Sequence, residues 1–124
     1  SDKHNPLIIE LGDSVTNPLT TQEIRFIKSA FGEEAYYRII NIKALEQNIK
    51  DILRNRVQIL TKRYFPSEKF PKLSSILNSK SSQIFNKYNF NPLFYDFDFE
   101  SLESQVYRVD GTDYIINIIP KRLK

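Results

Sequence analysis

The chain has 124 residues with 40% hydrophobic, 27% charged and 13% aromatic content, long enough for one packed core and too apolar for disorder. With no cysteine and a single histidine, His4, in an N-terminal arm, disulfides and thiolate chemistry are excluded and no convergent set of metal ligands or catalytic base assembles. The net charge of +3 is uneven: residues 41–90 hold ten Lys/Arg against three Asp/Glu, whereas the segments on either side each hold four against six, and such a basic middle suits an acidic partner.

The apolar runs fall far below the ~20 residues needed to cross a bilayer, and no charged-then-apolar leader opens the chain, so a soluble, cytoplasmic protein with no membrane span is expected. Absence of methionine fits either removal of an initiator before Ser1 or a trimmed chain. Residues 1–19 contain Pro6, Gly12 and Pro18 and are expected to form an arm, with residues 20–124 as a single domain. A capping box at Thr20-Thr21-Gln22-Glu23 predicts a helix start, because the Thr20 hydroxyl can accept from the amide near Glu23 while that carboxylate reaches back. Ile24, Phe26, Ile27 and Phe31 supply its apolar side, and Gly32 is a natural stop. Residues 33–40 fit a helix or a short strand, with helix favoured and Asn41 as a break or cap.

Residues 41–62 predict a long amphipathic scaffold helix. Ile42, Leu45, Ile49, Ile52, Leu53, Ile59 and Leu60 recur at three- and four-residue intervals and make one stripe, of which Ile49, Ile52 and Leu53 are expected in the core. Lys43, Glu46, Gln47, Lys50, Asp51, Arg54 and Lys62 make the wet face, with Glu46 four residues before Lys50. Residues 57–65 fray the pattern before Pro66, which ends it. Pro66 and Pro71 mark a loop; short helices are expected at residues 73–77 and 83–88.

After Pro92 the period becomes two. Tyr95, Phe97 and Phe99 alternate with Asp96, Asp98 and Glu100, which predicts a strand over residues 93–100 with aromatics inward and carboxylates out. Residues 105–109 and 112–119 complete a three-stranded antiparallel meander, joined by a two-residue turn at Asp110-Gly111. Helices first and strands last make an α+β fold, with the scaffold helix packed on the C-terminal meander.

Carboxylates two apart on one strand lie ~7 Å from their neighbours, too far for shared coordination, so Asp96, Asp98 and Glu100 are expected to be a solvated face with no metal. Three scattered glycines exclude a phosphate-cradling loop, and no cofactor is expected. The stronger candidate is the basic block Lys43, Lys50, Arg54, Arg56, Lys62, Arg63, Lys69 and Lys72, interleaved with Tyr64, Phe65 and Phe70. Stacking aromatics among cations fit a nucleic-acid-binding module, but a solvated helix face over core aromatics is the favoured reading of the block.

Three pieces resemble one family. Leu45-Glu46-Gln47-Asn48-Ile49-Lys50-Asp51-Ile52-Leu53-Arg54-Asn55-Arg56 resembles the scaffold helix of the small baseplate wedge proteins of contractile phage tails and their TssE-type relatives in type VI secretion, with Ile52-Leu53-Arg54-Asn55-Arg56 where a Leu-Leu-Asn-Thr-Arg-like motif stands. Leu73-Ser74-Ser75-Ile76-Leu77-Asn78 is similar to a Ser-Val-Leu-Asn-like stretch, and Phe90-Asn91-Pro92-Leu93 stands where a Phe-Glu-Pro-Arg-Leu segment opens the strands, with Asn91 and Leu93 in place of the charged Glu and Arg. The resemblance covers residues 42–119. It implies a non-enzymatic part of a hetero-oligomeric baseplate that contacts sheath and wedge proteins, with Arg54, Arg56, Phe90, Asn91, Pro92 and Leu93 at the interface. Arg56 and Asn91 are accordingly expected at the surface, beside an exposed edge of the meander. The rival class is the basic nucleic-acid-binding module.

Overall fold

The structure is a computed structural model that describes residues 15–61, 69–78 and 84–120. The fold is α+β, with three helices followed by a three-stranded antiparallel sheet among the described residues. The chain forms two compact units, Ser1–Asn55 and Arg56–Lys124. His4, Lys62, Arg63, Tyr64, Phe65 and the C-terminal basic residues lie outside the described residues.

In the first unit α1 spans Thr21–Phe31 and starts as its chemistry requires. The Thr20 hydroxyl accepts from the Glu23 amide at 3.1 Å, and Glu23 Oε1 accepts from the Thr20 amide at 2.8 Å, so two otherwise orphaned donors are satisfied. Gly32 stops it at φ 92° and ψ 166°, a conformation that only glycine adopts without strain. Helix α2, Glu33–Ile40, follows directly, which resolves the helix-or-strand choice there; Asn41 closes it and donates from Nδ2 to Tyr37 O at 2.8 Å.

Helix α3 spans Lys43–Asn55 and is shorter than the expected 41–62. Its stripe is only partly inward: Ile52 is buried, Ile49 and Leu53 are half-buried, and Ile42 and Leu45 at its start are exposed. The expected wet face is corrected too. Lys50 is buried, its Nζ reaching Val15 O at 3.4 Å and Glu46 at 3.7 Å, and Arg54 turns back to Glu23.

In the second unit β1 is Val57–Thr61, β2 Gln105–Arg108 and β3 Tyr114–Ile118, in the order β1-β3-β2. The scaffold helix therefore ends at Asn55 because residues 57–61 pair with β3, Val57 opposite Ile118 and Thr61 opposite Tyr114. Two strands are as expected, whereas residues 93–100 supply no strand. They open with a 3-10 turn at Pro92–Phe94 and then make a single antiparallel bridge, Tyr95 with Leu77, through Asp96 N to Ile76 O and Asn78 N to Phe94 O, both at 2.8 Å. Their facing is nevertheless the expected one: Phe97 is buried, Tyr95 and Phe99 pack against the core, and Asp96, Asp98 and Glu100 are exposed. Leu73–Ile76 is a 3-10 turn, and residues 84–88 are not helical.

The β2–β3 connection is wider than a two-residue turn. Val109 N donates to Tyr114 O at 2.9 Å, closing a loop of residues 110–113 in which Gly111 takes φ 70° and Thr112 bonds back to Val109 O. One face of the sheet carries Val57, Ile59, Tyr107, Tyr114, Ile116 and Ile118 onto a core completed by Leu73, Phe90, Phe97 and Val109. Through it runs a series of neighbouring rings, Tyr114, Phe85, Phe90, Tyr95, Phe97 and Phe99, with centroids 5.2–5.8 Å apart.

Candidate protein-docking edge

A three-stranded sheet has two edges, and here they differ. In an antiparallel pair, alternate residues exchange backbone bonds across the pair and the others turn their N–H and C=O away from it. Ile119 N donates to Arg56 O at 2.9 Å, so the bonded pairs continue at Gln58↔Asn117 and Leu60↔Ile115. Val57, Ile59 and Thr61 thus direct their backbone groups to the outer side of β1. Among the described residues, no strand or bridge pairs with that side. The same alternation makes Val106 and Arg108 the outward residues of β2, and there the edge is covered at Arg108, whose N donates to Pro71 O at 2.9 Å and whose Nε donates to Phe70 O at 3.0 Å, in a parallel bridge with Lys72.

Among the described residues, the strand itself, Val-Gln-Ile-Leu-Thr at residues 57–61, carries no charge, no proline and, in its register with β3, no bulge that would keep another edge away. The strand is also held firmly from behind, with Val57 and Ile59 packed on the core and Asn117 Nδ2 donating to Gln58 Oε1 at 2.8 Å. A rigid, unpaired, uncharged strand is a template for another strand. Sequence reasoning missed it by assigning these residues to the helix; the alternation of the β-branched Val57, Ile59 and Thr61 was the available signal.

The residues that the family resemblance placed at an interface are mostly interior. Arg56 is 4% exposed and Asn91 2%, which corrects their expected surface position. Arg56 holds two carbonyls, Ile119 O from Nε at 3.1 Å and Phe99 O from Nη2 at 2.5 Å, and its guanidinium lies 5.6 Å from the Phe99 ring. Asn91 caps the 3-10 turn, its Oδ1 accepting from Leu93 N at 3.0 Å, while Phe90 stacks on Tyr95 and Pro92 and Leu93 are buried. The ring series links Arg56, over Phe99, to Phe90 of the Phe90–Leu93 corner. Arg54, in the first unit, grips Glu23 with Nε and Nη2, both at 2.8 Å, and the carbonyls of Asn17 and Pro18 at 3.1 and 2.9 Å.

Burial alone would raise the Glu23 carboxyl, but the hydrogen bond and charge of Arg54 and the bonds from Thr20 outweigh it and hold the group below its ordinary value. The hydrogen bond to Glu23 in turn raises Arg54. Of the basic block, then, Lys50, Arg54 and Arg56 are spent on internal partners, and Lys43, Lys69 and Lys72 are the exposed members among the described residues. Among the described residues no group of three or more His, Cys, Asp or Glu could hold a metal, and no helix is long and apolar enough to cross a membrane. Asp96 instead accepts from Asn78 Nδ2 at 3.0 Å, and Asp98 from the Glu100 amide at 3.1 Å.

Compared with known families, curated proteins and solved structures, the chain matches no family model and has no significant match among the proteins or the structures.

Proposed function

We propose that the chain is a non-enzymatic structural component of a contractile injection baseplate, of type VI secretion or phage-tail type, that docks the sheath to the baseplate. The observation that carries this reading is the open β1 edge, where Val57, Ile59 and Thr61 offer outward backbone groups to an incoming strand. The sequence resemblance in residues 45–56, 73–78 and 90–93 names the kind of assembly; the edge supplies a physical means of joining it. The contact lies on the β1 backbone, with Arg56 and the Phe90–Leu93 corner acting behind it as internal support. Nucleic-acid binding is the weaker reading, because phosphate contacts need exposed cations and three of the block's members face internal acceptors.

The test uses the full chain and the purified sheath and wedge proteins encoded beside it. Thr61→Pro removes an outward N–H while leaving the bonds towards β3 in place, a position where an edge strand tolerates proline. Sheath capture by wild type, reduced at least tenfold in Thr61→Pro with a near-unchanged melt, is the expected result. Failure of wild type to capture any sheath or wedge component overturns the proposal, and so does equal capture by the variant. Nanomolar, steeply salt-dependent binding to nucleic acid would favour the rival.

A further inference from the structure

A second feature of the second unit stands apart from the β1 edge. A half-open cleft of about 170 Å³ is lined by Leu73, Leu77, Phe85, Tyr95 and Val109, with Ser74 and Asp110 at its polar side. Small-molecule and cofactor sites run to about 300–1,000 Å³, so this volume suits one side chain. Its described walls are aliphatic and aromatic, and the ionic group among its described lining residues is a carboxylate.

That carboxylate is positioned and incompletely used. Ser74 donates to it twice, from Oγ to Oδ2 at 2.7 Å and from the amide to Oδ1 at 3.3 Å. Each oxygen keeps acceptor capacity beyond these bonds. Burial pushes the Asp110 carboxyl up, but the bonds from Ser74, its own backbone and the field of Lys72 outweigh this, so it sits below the ordinary carboxylate value and is ionised at neutral pH. None of its ion pairs lies within 4 Å among the described residues, since Lys72 acts on it only from further away.

We propose that this cleft receives one arginine side chain from an extended segment of a partner protein, its stem along Leu73, Leu77 and Val109 and its guanidinium at Asp110. Charge complementarity selects a cation for the Asp110 end, and the apolar walls select one carried on a long aliphatic stem. The rings of Phe85 and Tyr95 favour the flat guanidinium over a compact ammonium, because it stacks on aromatic faces as well as pairing with a carboxylate.

The test is an amide-resolved titration of the full chain with N-acetyl-arginine-N-methylamide, compared with the citrulline derivative, which has the same length and planar head without the charge. Saturable shifts at Leu73, Ser74, Leu77 and Val109, with at least tenfold weaker binding of the citrulline probe, are expected. Asp110→Asn keeps a residue suited to the loop and should bring the ratio of the two probes close to one. Absence of arginine binding, equal binding of both probes to wild type, or an undiminished ratio in Asp110→Asn each overturns the proposal. The wild-type comparison decides the matter even if the variant folds poorly, and its outcome is independent of sheath capture.

Discussion

Replacing Arg54 by alanine should unfold the helical unit at markedly lower denaturant. Arg54 makes two bonds to the Glu23 carboxylate, both at 2.8 Å, and two to the carbonyls of Asn17 and Pro18, and the two side chains are only 13% and 11% exposed. Truncation leaves the buried Glu23 carboxylate with Thr20 as its partner among the described residues, and breaking a buried pair from one side costs about 3–5 kcal/mol. Because some water still reaches both groups, the expected loss for Arg54→Ala is at the low end, about 3 kcal/mol. Glu23→Gln keeps the shape and one acceptor and leaves Arg54 its two carbonyls, so about 1.5 kcal/mol is expected, and the double variant should lose clearly less than the sum of the two. Urea unfolding followed by helical circular dichroism measures all four corners of this cycle. The pH dependence has a definite sign: Glu23 is lowered in the fold, so its contribution is complete above the unfolded carboxyl value of about 4.3 and is lost as pH falls through the lower folded value. In Arg54→Ala that acid-sensitive part of the stability should shrink, because burial then acts on Glu23 with less opposition. Midpoints within error of wild type, or strictly additive effects, would refute the coupling drawn here.

Arg56→Met keeps the apolar stem but leaves Phe99 O and Ile119 O without their donor, so a loss of about 2–3 kcal/mol in thermal or urea unfolding is expected; an unchanged melt would place Arg56 at the surface after all. Ile116→Ala removes a side chain with no exposed surface at the centre of β3, where about 3–4 kcal/mol should be lost, whereas Leu45→Ala, on the exposed first turn of α3, should cost under about 1 kcal/mol; similar costs for both would contradict the assigned core.

What the sequence disclosed follows the range of the interactions responsible. The start of α1 was legible because the Thr20 and Glu23 bonds are made between residues three apart, and the stop at Gly32 because it needs only one special backbone conformation. The end of α3 was not, since Ile52, Leu53, Ile59 and Leu60 satisfy a helical period while Val57, Ile59 and Thr61 satisfy a strand period, and the choice is made by β3 far along the chain. Alternation in residues 95–100 told which side chains are wet, as their burial shows, but an alternating pattern carries no information about which backbone lies next to it, and here that neighbour is the turn at residues 76–78. Charge misled in the same way. Arg54 and Arg56 were assigned to an interface on the family resemblance and to a basic face on their charge, yet their partners are a carboxylate and four carbonyls that no local pattern links to them. The converse holds for β1: five uncharged residues look like core, and their side chains do support one, but the outward half of their backbone remains available. Burial of a strand's side chains and satisfaction of its edge are separate conditions, and in β1 only the first is met by the described residues, which is the observation from which we propose an incoming strand as the partner.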